Sequence, residues 1–465
     1  MNIRKIAALG MAAMMTFSMA SCGSGGSSTT GGADSGTIQV DFWTAPQSVQ
    51  FNFWETKAKA FNEQKVAIDG KTVEVKVQQM AESPSSEAAI QNAIATGTAP
   101  AISENINRGF AGTLSSSDVV YDIQDEEWFK EIVKNRDMES TMENWAIDGK
   151  QYVIPVYVNP MTWQWNPKAL KVLGFEAPPE TLDEYKAVLQ AFVEKKDALA
   201  EIGVTHSLYN YNITLTDRWW ERWYDFYMPY MGITGKTEWV NGNNELVLDK
   251  EGMKEAFELI GMTGNTMLTS ELTVSGSLWA DENVPILFTV SAPWEISVIT
   301  QAGVEYGMDG GYVYGPSIVK KEGDTPYVYG DSKGLTFYKA ANISDDQHQG
   351  AVEFVKWLYS AENNAQTDLD WMETTGMLAS RGDMTTNDTF KTFLQENPAL
   401  EALTAYVPNA VPCMSSDKMT QVQTALGEGG FCEYMIKVSS STPLEAPDAT
   451  SYVDSAYKAM EEALA

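Results

Sequence analysis

Fourteen tryptophans and twenty tyrosines stand against two histidines in this chain. Flat apolar rings with a polar edge are therefore plentiful, while imidazole catalysis and histidine-ligated metal sites have almost nothing to draw on. His206 and His348 sit in unremarkable contexts. No Walker-type phosphate loop, metal-spaced Cys or His cluster, EF-hand loop or Gly-x-Ser-x-Gly elbow with a histidine partner occurs. Neither a cofactor nor a metal is expected. Aromatic rings, carboxylates and amides remain, and together they suit a pyranose. Its C–H faces pack on flat rings, and its belt of hydroxyls needs donors and acceptors in fixed places.

Elements must hold such groups around a groove. Residues 37–43 alternate, with Ile38, Val40 and Phe42 on one side, and read as a strand. Phe51, Trp54, Ala58 and Phe61 follow at helical spacing, and Val73, Val75 and Val77 mark a second strand. Strand, helix and strand in this order predict a right-handed βαβ unit with parallel strands. Ligands of open α/β sheets bind beyond the carboxyl ends of strands, which makes Trp43 and Gln47 candidates for ligand contact. Residues 152–158 are β-branched and aromatic but contain Pro155, which cannot donate to a ladder. Asn166 then stands as a helix N-cap, Pro167 at the first helical position and Gly174 at the stop. The chain is read here as passing from one lobe to another, so Tyr157, Asn159 and Trp163 are expected to face a cleft.

Further along, Thr181 with Glu184 and Ser344 with Gln347 form capping boxes ahead of amphipathic stripes. Residues 216–232 are apolar on all sides, so most of their rings belong to a core. Trp220 is kept as a candidate contact. Pro285 opens a buried strand that ends at Ser291 and is followed by Ala292, Pro293 and Trp294.

The segment Gly-Lys-x-Tyr-x-Ile-Pro at 149–155, followed by an aromatic run ending in Asn166-Pro-Lys168, resembles the family-1 extracellular solute-binding proteins. These are the sugar-binding components of ABC importers, the group that includes maltose-binding protein. AIATGTAPAI at 93–102 resembles a family motif in which a helix ends and a short strand points at the cleft, although Ala101 stands where the family has Asp. Glu104 and Asn105 come just past it, where a sugar hydroxyl would be met. The family places a sugar-stacking Trp where this chain has Trp294. AVEFVKWLYSAENNAQ, then TTGMLASR, resembles the family's helices and return segment, near which Trp371 lies. Residues 411–416 resemble a cleft-edge loop.

The resemblance implies a two-lobed α/β periplasmic-binding-protein fold, each lobe a mostly parallel sheet flanked by helices, with three hinge crossings near Pro155, Pro316 and Arg381. It implies lobe 1 from residues 37–155 plus 317–381, and lobe 2 from 156–316 plus 382–465. The implied activity is extracytoplasmic binding of a sugar or oligosaccharide by hinge closure, and delivery to the membrane-spanning permease subunits of an ABC importer by a monomer, with no chemical turnover. Two alternatives stay open. A secreted glycoside hydrolase needs two carboxylates flanking the bond, which sixty-three acidic residues allow. A surface glycan adhesin would bind without transport.

The formal charge of −31 repels phosphate backbones and argues against nucleic-acid binding. Residues 1–21 read as a signal peptide, with Arg4 and Lys5 ahead of an apolar run too short to span a membrane comfortably. Cys22 after small residues resembles a bacterial lipoprotein processing site. That implies an acyl (palmitate) anchor in the lipid bilayer at Cys22, a flexible tether over 22–36, and a place on the outer face of the cytoplasmic membrane. Cys413 and Cys432 read as two separate buried thiols, with a disulfide as the alternative.

Overall fold

The alternation of residues 37–43 builds β1 (Thr37–Thr44), and the helical stripe after it builds α1 (Ser48–Glu63), which buries Phe53, Trp54, Ala58 and Phe61. In the computed structural model, the described residues are 36–81, 85–208, 223–241, 244–267, 278–280, 284–291, 293–416 and 418–465. After α1 the chain makes a hairpin of β2 (Ala67–Ile68) and β3 (Lys71–Gln79), turning at Asp69-Gly70 with positive φ at both residues. β3 pairs in parallel with β1, giving the expected βαβ unit.

Ser85 caps α2 (Ser86–Thr96) and Gly97 ends it in the left-handed region. The chain then runs into β4 (Ile102–Ile106), parallel to β1, and α3 (Arg108–Ser116), capped by Asn107. The helix α4 (Glu127–Asn135) precedes β5 (Ile154–Pro160). A single residue, Met161, separates β5 from β6 (Thr162–Trp165), and the two strands belong to different sheets. This is the first crossing.

β7 (His206–Leu208), β8 (Ile286–Ser291) and β9 (Val313–Gly315) complete the second sheet in the order β7-β8-β6-β9. The chain returns to the first sheet as β10 (Val328–Phe337), followed by β11 (Leu378–Ala379) and β12 (Ala410–Val411). The first sheet has the order β11-β5-β10-β4-β1-β3-β2, with β12 pairing β10. The second sheet is mixed. β7 and β8 are parallel, while β6 meets both β8 and β9 antiparallel, because β6 and β9 are the strands that enter from and leave toward the first lobe.

Pro155 does not sit on a sheet edge, since β5 lies between β10 and β11. It is accommodated by a register shift where Gly334 meets it, and β11 pairs β5 only at Tyr157 and Val158. A Cβ on Gly334 would lie 2.1 Å from the Ile154 carbonyl oxygen, so only glycine permits this approach. On the other flank of β5, the Arg136 guanidinium donates to the carbonyls of Pro155 (2.6 Å) and Val156 (3.2 Å).

Two apolar clusters lie around the two sheets without dividing cleanly between them, since the first also takes in Ile286, Tyr312 and Tyr314 and the second Tyr329 and Val411. The first holds Phe42, Trp54, Ile102, Phe354 and Trp371, and the second holds Trp163, Tyr185, Phe257, Phe288 and Tyr434. Met384, Phe390, Leu400 and Ala410 pack in the first core and Val411, Cys413 and Met419 in the second. From Met384, residues up to Ala410 thus pack with the first cluster and Val411, Cys413 and Met414 with the second. Arg381 is held inside the first lobe by its bond to buried Asp368 (3.0 Å). No disulfide joins Cys413, which is buried, to Cys432, which is half-buried. Both capping boxes form as their spacing predicts. The final helix (Thr450–Leu464) buries Val453, Ala456 and Met460 against the second core.

Candidate functional site

β1, β4 and β5 run the same way, because β10 is antiparallel to both β4 and β5, and β1 is parallel to β4. Their carboxyl ends, at Thr44, Ile106 and Pro160, therefore fall on one edge of the first sheet. β8 of the second sheet ends at Ser291, opposite Thr162 at the start of β6. The short 3-10 turn Pro293–Glu295 then lies against β5. The ligand-facing edges of both sheets thus meet at the first crossing.

Glu104 organises the first-lobe side. Its carboxylate accepts from Thr44 Oγ1 (2.9 Å), the Ala45 backbone N–H (2.8 Å) and Gln50 Nε2 (2.5 Å). It is fully buried, so it fixes the loop that carries Trp43 and Gln47 and does not itself project from the wall. Burial raises its pKa, against the opposing hydrogen bonds of Ala45 and Thr44 and the charge of Lys333. The folded state therefore binds the Glu104 proton more tightly than the unfolded state does. The sign follows: stability should fall as pH rises above the ordinary value of 4.5 toward the raised one. Glu104→Gln should remove that part of the slope. Urea midpoints of both proteins across pH 4–7 test this, and a wild-type midpoint that rises relative to the variant over that range refutes it.

Asn105, next to it, takes a positive φ of 71° and donates to Ser86 Oγ (3.2 Å), which ties β4 to α2. Trp43 is half-buried against the first core, and Gln47 is exposed at the N-cap of α1. Asn159 is 2% exposed, and its Oδ1 has no hydrogen-bond partner among the described residues. Tyr157 stacks on Trp371 at 5.4 Å, and burial, then Asp331, then Glu104 push its pKa well above the usual phenol range.

Two tryptophans expected at the cleft are core residues instead. Trp163 is stacked on Phe288 (5.1 Å) and Trp165 (6.0 Å), with Tyr185 at its edge. Trp371 is covered by Tyr157, Phe53 and Trp54. Their rings are engaged by protein, so a sugar could stack on them only by displacing core. Trp220 lies outside the described residues. The backbone of Trp294 occupies the turn at the seam of the sheets.

Sequence reading passed over Asp331 and Lys333. Both stand half-buried on β10, paired in register with Asn159 and Tyr157. The signal was present as two charges spaced by two within Val328–Phe337, a strand that is otherwise apolar or small.

The lobes also touch away from this seam. Arg108 of α3 bonds Glu238 of the second lobe (3.3 Å), and a Cβ on Gly112 would fall 2.1 Å from the Ser415 carbonyl oxygen. Cys413 lies there, its thiol pushed up to about 11 by burial, which leaves it unreactive. Among the described residues no group of three or more His, Cys, Asp or Glu is placed to hold a metal, and no helix is long and apolar enough to cross a membrane.

Two packed sheets, joined by crossings and with their binding edges facing one seam, define the two-lobed periplasmic-binding-protein class. The sequence profile of the bacterial extracellular solute-binding proteins matches residues 57–402, and the chain belongs to that family. The family consists of binding proteins that work with ABC importers, not enzymes. An uncharacterized protein of Listeria monocytogenes EGD-e is 30% identical, with a TM-score of 0.78 over 92% of this chain and 100% of its own. The cyclic alpha-maltosyl-1,6-maltose binding protein of Arthrobacter globiformis is 14% identical (TM-score 0.67, covering 92% and 99%). The sugar-binding protein MalE of Xanthomonas citri is 15% identical (TM-score 0.67, covering 92% and 97%). At such identities these two show the fold alone. No curated protein sequence matches the chain.

Proposed function

We propose that this protein binds a neutral sugar of more than one ring between its lobes, closes about the three crossings, and hands the sugar unchanged to the membrane subunits of an ABC importer. The observation that carries this reading is the seam itself. Strand ends of both sheets meet there, with Asn159 orphaned and Asp331 and Lys333 beside it. Sugar binding by the Arthrobacter and Xanthomonas proteins of the same fold supports the ligand class. We place the hinge at residues 160–162, 315–328 and 411–416, so that the lobes are discontinuous in sequence. Acylation at Cys22 would hold the monomer at the outer face of the membrane with residues 23–36 as tether, which agrees with the extracellular character of the family. Ligand would then report to the transporter by shifting the population toward the closed form.

A thermal-shift panel of maltotriose, cellotriose, xylotriose and their monosaccharides tests the reading. A true ligand at a hundred times its dissociation constant adds about 2.7 kcal/mol of stability. No shift with any sugar overturns the proposal. New reducing ends after incubation would replace it by a glycoside hydrolase.

A further inference from the structure

Cross-strand partners share a face of a sheet, so Asn159 and Tyr157 on β5 stand beside Asp331 and Lys333 on β10. The Asn159 end of this face adjoins the first crossing, one residue before β5 ends at Pro160. Asp331 acts electrostatically on Tyr157 and, across the third crossing, on Cys413, while Lys333 acts on Glu104. By register the four residues share one face of the β5–β10 pair. Yet no hydrogen bond or ion pair holds Asp331 or Lys333 among the described residues, and Asn159 Oδ1 is unpartnered at 2% exposure. This is unusual in a chain with 63 acidic residues to 32 basic ones, where a lysine has many carboxylates to choose from. Half-burying two charges and orphaning an amide oxygen costs stability unless something else completes them.

The donor and acceptor inventory says what would. Asp331 and Asn159 Oδ1 accept, and Lys333 donates. A pair of adjacent hydroxyls on a sugar ring offers two O–H donors and oxygens that accept from the ammonium. Hydrogen bonds to charged partners are about twice as strong as neutral ones, so such a pair would be gripped firmly. A carboxylate in the same place would face Asp331, and an amine would face Lys333. We propose that Asp331, Lys333 and Asn159 form a subsite that selects an uncharged vicinal diol of the ligand. The proposal rests on the sugar-binding reading above and names what that site recognises.

The test is calorimetric titration with whichever of maltotriose, cellotriose and xylotriose shifts the wild-type protein most, together with its monodeoxy analogues. Asp331→Asn and Lys333→Met should each weaken binding by about 10- to 100-fold while leaving the unliganded melting temperature near that of wild type. One deoxy analogue should lose as much on the wild-type protein and little more on Asp331→Asn, because both changes remove the same bond. Folded variants that bind as wild type, or losses that simply add for every analogue, overturn the subsite and leave sugar binding intact. Silence of the wild-type protein toward all three trisaccharides overturns the functional reading and the subsite with it.

Discussion

Replacing Asp368 by alanine should cost about 3–5 kcal/mol of folding free energy, because it strands the buried Arg136 guanidinium and takes from Arg381 one of its two carboxylate partners. Asp368 is 1% exposed, Arg136 0% and Arg381 1%. Arg136 grips the carboxylate with both Nε (2.9 Å) and Nη2 (3.0 Å), and Arg381 Nη1 takes the same Oδ2 at 3.0 Å. Arg381 then continues to Asp383 (2.5 Å from Nε), and each guanidinium lies over a ring, Tyr359 or Phe390. Burial pulls the Arg136 pKa down, but Asp368 and its neighbours outweigh it, so the group is held charged. An apolar triple replacement would not rescue the site, since the Pro155 carbonyl would lose the Arg136 donor. Urea denaturation of Asp368→Ala against wild type measures the cost. A loss under about 1 kcal/mol, the range of an exposed ion pair, would show that the network is not buried in solution.

Trp294→Ala should remove most of the stabilisation that a bound sugar confers. The residue sits in the turn at the end of β8, Pro293 fixes its entry, and the turn lies against β5 at the meeting of the two sheets. An aromatic anchor that stacks on a ligand contributes about 2 kcal/mol or more to binding, equivalent to roughly 30-fold in affinity. At a ligand concentration that gives wild type about 2.7 kcal/mol, the variant should keep only about 0.9 kcal/mol. Thermal shifts at matched concentrations check it. An unchanged shift in a folded variant would remove Trp294 from the site.

Local features were legible from sequence. The Thr181–Glu184 and Ser344–Gln347 boxes and the Asn166 cap with its Gly174 stop need only neighbours within a turn or two, and each formed as spacing dictates. The βαβ unit of β1, α1 and β3 was legible for the same reason. Tertiary partners were not. Nothing in the types or spacing of Trp163 and Trp371 marks them as rings sandwiched in a core, because that outcome depends on distant segments. Arg136 and Asp368 are 232 residues apart, so the network that fixes Arg381 in the first lobe has no local signature. Asp331 and Lys333 were overlooked because their neighbours on β5 become neighbours only when β10 is in place.

The position of β10 has a consequence for how the molecule is made. Residues 328–337 slot between β4 and β5, both finished long before them in the chain. Until that late strand emerges from the ribosome or a translocation channel, two earlier strands expose bare ladder edges, and the sheet cannot close. Such high contact order slows folding and prolongs the time for which the nascent chain stays threadable. The late place of β10 in the chain thereby delays closure of the first sheet until most of the polypeptide has been made.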